Sequence, residues 1–297
     1  MELVVHDTIS TMAEIITLPR ERRADALRAM LAPMAGSMPP GDPVDVHHKG
    51  GGFRIDTDDP RYATALERLA AEDVLGQIER EIHRALGHLR ARVPGIKHPD
   101  RLQVMFVLGD PDNEHLMRTA AGYYGMGGVP GWLYLLAWPD DDVIGKIAHC
   151  GVHEFHHQVR YANVEWNPAT VPVGEHVVAE GLAEAFVREL SGPEAMGPWS
   201  EMVAGEELEG AYAKTVADIE RPGMGTALGY VLGDPAMVRF GYEPVGVPSM
   251  SGYAVGLRIV DAHLAATGLT VAESTVLPGL AIAANAGIAL SATDPSR

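Results

Sequence analysis

His153-Glu154-Phe155-His156-His157 is the segment with the clearest chemical potential in this 297-residue sequence. On a helix, residues four apart project to nearly the same side. His153 and His157 can therefore offer two imidazole nitrogens to one Zn²⁺ at about 2.0–2.1 Å each. Glu154, one residue after the first His, is placed to reach a water on the metal rather than the metal itself. It is the expected general base, taking that water's proton and passing it to a leaving nitrogen. An HExxH string alone is a known false positive, and its plain alternative is a helix with a few surface or core histidines. The question becomes whether the chain supplies a third ligand.

A second candidate helix supplies one. Val178-Ala179-Glu180-Gly181-Leu182-Ala183-Glu184 places Glu180 23 residues beyond His157. That distance allows a loop and a returning helix. Two histidines and a glutamate leave the fourth coordination position open, as catalytic zinc requires. Glu184 lies one turn further on the same face, where it can accept the outer ring N–H of a ligand His, His153 being the first choice. Gly181 would let the two helices approach closely. Acids on a helix are usually solvated. Here Val177, Val178, Leu182, Ala183 and Phe186 surround them, which argues against an exposed face.

Nearby residues carry weaker expectations. His149 and His153 are also four apart, but no Glu follows His149. His156 is out of register and should line the pocket or bond nearby. Cys150 reads as a buried small apolar residue; His176, one turn before Glu180, could support a metal ligand but reads first as a surface position. His47 and His48 read as a solvated loop pair. A donor for the developing oxyanion is also needed. Tyr253, following a glycine at the start of a helix, is the first choice, with Tyr230 and His263 behind it.

The elements that must position these groups follow from pattern. Residues 20–34 and 62–93 have helical periodicity, separated by a Gly/Pro-rich stretch, 36–52, that reads as loop. Residues 102–108 read as a strand ending in a turn. In 121–139 glycines and Pro130 punctuate the chain before a strand at 132–137. That strand could present its backbone to an extended peptide, or be an ordinary core strand. Asp140, Asp141 and Asp142 favour a helix start, because acids complement a helix N-terminus. A helix is expected from about 141 to 160, then others at 174–190 and 253–266.

HEFHH followed by the Glu-Gly-Leu-Ala-Glu helix resembles the gluzincins, zinc peptidases with two His ligands and a distal Glu. More closely, the chain resembles the YjaZ-like family of predicted Zn-dependent proteases. The matching residues are GYYGMGGVPGWLYL (122–135), HEFHH, VAEGLAEAF (178–186) and SGYAVGLRIVDAHL (251–264), all within about 120–285. The resemblance implies an α+β, zincin-like fold. A small mixed sheet lies over the HExxH helix and the Glu-bearing helix, with substrate along an edge strand. The expected organisation is a mainly helical region, 1–100, and a zinc hydrolase domain, 101–297, with a helical C-terminal part.

Composition bounds the rest. The formal net charge is −17; so acidic a surface repels phosphate backbones and anionic lipid. Neither nucleic acid nor membrane is expected as a partner. One cysteine cannot build an internal disulfide or a thiolate zinc cluster. The first residues lack the basic region of a signal peptide, and cytoplasmic residence is the expectation. No phosphate-binding Gly-rich loop or Gly-x-Ser-x-Gly elbow is present. The expected function is a zinc metallopeptidase. The alternatives are a zinc hydrolase of a non-peptide amide or small metabolite, and a non-catalytic zinc-binding regulatory protein.

Overall fold

The structure, a computed structural model, describes residues 1–291. It is an α+β fold whose four-stranded mixed sheet has the order β1-β2-β4-β3. The chain runs β1 (Glu2–Val5), α1 (Thr8–Thr17), α2 (Arg20–Leu31), α3 (Pro43–Lys49), α4 (Pro60–Ala71), α5 (Val74–Arg92), β2 (Arg101–Leu108), β3 (Tyr123–Met126), β4 (Trp132–Ala137) and α6 (Ile147–Asn163). Then come α7 (Val173–Ser191), α8 (Gly205–Ala217), α9 (Met224–Leu232), α10 (Asp234–Phe240), α11 (Ser251–Thr267), α12 (Val271–Ser274) and α13 (Gly279–Asn285). Two compact units result. One comprises Met1–Leu86 with His98–Gln158, the other Gly87–Lys97 with the chain from Val159 onward.

The first unit holds the sheet. β2 is parallel to both β1 and β4, while β3 is antiparallel to β4. Interior parallel strands are covered on both faces and so read as continuous apolar runs. LQVMFVL and WLYLLA obey this: residues 104–108 and all of Trp132–Ala137 are buried. β4 is bonded on both sides, so Trp132–Leu135 is a core strand. The strand at the edge of the sheet beside it is β3.

Several local expectations change. Residues 36–52 are not simply a loop. Asp42 accepts from the Val44 N–H and Pro43 occupies the first turn, which starts α3. His47 on that helix is buried rather than solvated, with Nε2 2.8 Å from the Phe53 carbonyl oxygen. Burial holds its pKa down at about 4. The 62–93 periodicity is two helices, broken where Asp73 takes a left-handed φ of 50°. The aspartates before α6 form a turn in which Asp140 Oδ1 accepts from the Asp142 and Val143 N–H groups. The α-helix proper then begins at Ile147.

The second unit is organised around α7. A Cβ on Gly181 would stand 2.1 Å from the Gly256 carbonyl carbon, and one on Gly256 would stand 2.1 Å from the Val177 oxygen. Backbone therefore touches backbone where α7 crosses α11. The close approach that Gly181 permits here is to α11. Arg160 and Glu175 form a buried ion pair. Arg160 also donates to the Thr275 and Leu277 carbonyls, and Glu175 accepts from the Gly279 N–H. These bonds fix the chain around 275–279 to the start of α7. Among the described residues no helix is long and apolar enough to cross a membrane.

Candidate metal centre

On α6 every residue from Cys150 to Arg160 is buried. His153 and His157 face one another there, with 3.1 Å between their Nε2 atoms. Two nitrogens bound to one tetrahedral zinc at about 2.0–2.1 Å would stand about 3.3 Å apart. The pair is thus already spaced for a shared ion. Glu180 completes the set: one ligand atom from each of His153, His157 and Glu180 lies within 4.8 Å of the others. The donors are two imidazoles and a carboxylate, the combination of a catalytic rather than a structural zinc site.

Glu180 has a distinctive place on α7. From Val173 to Val187 every other residue is buried, and Glu180 alone retains solvent access. A helix apolar all round normally disappears into a core. The break in that burial falls on the carboxylate of the group that could hold a metal ion.

Glu154 sits beneath β3. A Cβ on Gly125 would come within 2.4 Å of Glu154 Cγ, and one on Gly127 within 2.3 Å of the Glu154 carbonyl oxygen. The glycines of GYYGMGG are therefore contact residues: without side chains, the strand can lie on the helix and still leave room for the carboxylate. Gln158 holds the turn after β3. Its side-chain NH₂ donates to the Gly127 and Val129 carbonyls, and its Oε1 accepts from the Gly131 N–H. The Gly122 carbonyl accepts from the Trp138 N–H at 2.9 Å. Antiparallel pairs alternate between bonded and non-bonded, so the N–H and C=O of Gly125 turn away from β4.

On α7, Glu184 is buried and both its oxygens are engaged. Oε2 accepts from the Gly197 N–H and Oε1 from Trp199 Nε1, each at 2.8 Å. The Trp199 ring lies 5.6 Å from that of Tyr253, centre to centre. Tyr253 is half-buried near the start of α11. The two other candidate oxyanion donors are enclosed. Tyr230 donates its hydroxyl to Asp218, which also binds Lys214, and His263 Nε2 lies 3.0 Å from Ser274 Oγ. Cys150 is buried, as is His156. His176, expected at the surface, is buried too, its ring 4.6 Å from that of Trp166. Gly125, Gly127, Gln158 and Trp199 went unread as site residues; the close Gly-x-Gly spacing was the one usable signal.

The family described as "Predicted Zn-dependent protease (DUF2268)" matches residues 81–284. The chain belongs to this family. Its relatives include the uncharacterized protein YjfC of Bacillus subtilis, 27% identical over 97% of this chain and 99% of YjfC. Another is the uncharacterized protein YjaZ of the same organism, 29% identical over 45% of this chain and 48% of YjaZ. No solved structure matches.

Proposed function

We propose that this member of the predicted Zn-dependent proteases is a metallopeptidase, with His153, His157 and Glu180 as its zinc ligands and Glu154 as its general base. The observation that carries the reading is the one break in burial between Val173 and Val187 of α7, at Glu180, grouped with two imidazole nitrogens already spaced for one ion. A structural site would close its fourth position and would not need a carboxylate next to a ligand. Zinc, when bound, would supply the Lewis acidity that makes water nucleophilic near neutral pH.

The remaining steps fall to the chain's own residues. The outward N–H and C=O of Gly125 would pair with an extended peptide at the β3 edge, as strand addition does elsewhere. That edge lies over Glu154, whose carboxylate would take the proton from water and return it to the departing amine. Tyr253 would donate its hydroxyl to the oxygen that gains charge. Trp199 supports its ring and is itself held by Glu184. Glu184 keeps further lone pairs, one of which would take the outer N–H of His153 and fix its tautomer. The strand edge favours a peptide over a compact metabolite, because an extended backbone is what an edge strand can pair.

The test is a peptide library offered to zinc-loaded wild type and to Glu154→Gln. Glu154→Gln should keep its zinc and lose turnover by about 10³-fold. Turnover at the wild-type rate would remove Glu154 from the mechanism. A library left uncut by the zinc-loaded wild type would exclude the peptidase reading.

A further inference from the structure

The turn joining β3 to β4 is Gly127-Gly128-Val129-Pro130-Gly131, which has no polar side chain of its own. Glycine gives a backbone its widest freedom, and Gly131 uses it, with a φ of 76°. α6 supplies the polar group that the turn lacks. Gln158 is buried. Its Nε2 donates to the Gly127 carbonyl and, at 2.7 Å, to the Val129 carbonyl, with the Trp132 carbonyl 3.3 Å away. Its Oε1 accepts from the Gly131 N–H at 2.8 Å. One side chain thus binds both ends of the turn and its middle. Holding carbonyls and an N–H together needs donors and an acceptor on one planar group. A neutral amide has both; a carboxylate has only acceptors, and a thioether is a weak acceptor with no donor.

Glu154 precedes Gln158 by one helical turn, so the two side chains share a face of α6. β3 rests on that face. A Cβ on Gly125 would stand 2.4 Å from Glu154 Cγ and 2.6 Å from its Oε1. The strand is therefore the ceiling over the Glu154 side chain. Gly127 takes part in both contacts: its carbonyl receives the Gln158 NH₂, and its bare Cα faces the Glu154 carbonyl oxygen, 2.3 Å from where a Cβ would stand. All of these groups lie in the first compact unit. A change in the grip of Gln158 moves Gly127, and with it the strand that bounds the Glu154 carboxylate.

From this geometry, and resting on the peptidase reading, we infer that Gln158 is a positioning residue for Glu154. Its amide sets how closely β3 lies on α6 and so confines the base to one direction. It touches neither water nor substrate, and its effect passes through Glu154 alone.

The test compares Gln158→Glu and Gln158→Met with wild type. Both keep the length of the side chain. Gln158→Glu retains only acceptors, and Gln158→Met retains no donor. Zinc content should stay at the wild-type level and KM within about twofold, while kcat falls about tenfold in each. In a Glu154→Gln background, adding Gln158→Met should lower the residual turnover by less than about twofold, because the group through which Gln158 acts is already gone. A readout without turnover uses metal-free protein carrying ¹³C-labelled glutamate. The Glu154 carboxylate resonance, identified by its loss in Glu154→Gln, should shift in Gln158→Met, and the Gly131 amide should exchange at least about tenfold faster. A folded variant with wild-type kcat, a rise in KM alone, an equal further loss in the Glu154→Gln background, or an unmoved Glu154 resonance overturns the assignment. So does loss of the fold or of zinc in both variants, which makes Gln158 a structural anchor only. The two readings fail separately. A wild type that cleaves no peptide removes the peptidase, and the Glu154 resonance still decides the positioning. A wild type that cleaves alongside equally active Gln158 variants removes the positioning alone.

Discussion

α6 and α7 are both enclosed on nearly every side, yet they reach that state differently. Above α6 the glycines belong to the neighbour: Gly125 and Gly127 of the edge strand withhold side chains so that the Glu154 carboxylate has room. At α7 the glycines stand on both partners, Gly181 and Gly256, and main chain rests on main chain. The first contact makes space for a functional group. The second locates a helix and carries no chemistry. Each helix also spends one polar side chain on a distant loop, Gln158 on the turn after β3 and Glu184 on the segment with Trp199. Gln158 and Glu184 are thus buried as anchors, whereas the half-buried Glu180 keeps access to solvent.

This contrast predicts different failures for the same Gly→Ala change. Gly256→Ala should have the larger effect, on stability. Its Cβ would meet the Val177 carbonyl oxygen, which no side-chain rotation relieves, so the helices must separate. A loss of about 3 kcal/mol in denaturant unfolding is expected. Gly125→Ala should act on turnover instead. Its Cβ would meet the movable Glu154 side chain, and displacing a base by about 1 Å costs about 10²-fold in kcat. Zinc content should be unchanged and the unfolding midpoint close to wild type. If Gly125→Ala unfolds as readily as Gly256→Ala while keeping its kcat, the distinction between a space-making and a helix-locating contact fails.

Much of the frame was legible because apolar runs report burial. β4 was read at its observed ends, 132–137. α7 and α11 were read to within two residues at each end, and the residues 153, 157 and 180 were singled out by type and spacing alone. What escaped were features with little local signal. β1 and β3 are four residues each, too short for alternation to show, and the glycines of β3 look like punctuation until the helix beneath is known. α3 hides behind PPGDP, since Asp42 and Pro43 can open a helix as well as a turn. The partners of Gly181, Gln158 and Glu184 are remote in sequence, and no periodicity names a contact across such a distance. His176 was misplaced for a related reason: the Trp166 ring that packs on it comes from the connection between α6 and α7, ten residues before it in sequence.

The most direct measurement is metal content after zinc loading and exhaustive dialysis, in wild type and in His153→Ala, His157→Ala and Glu180→Ala. One zinc per wild-type chain is predicted, with a fall of at least about tenfold in affinity for each folded variant. A wild type that retains no zinc, or three variants that each retain a full equivalent, would contradict it.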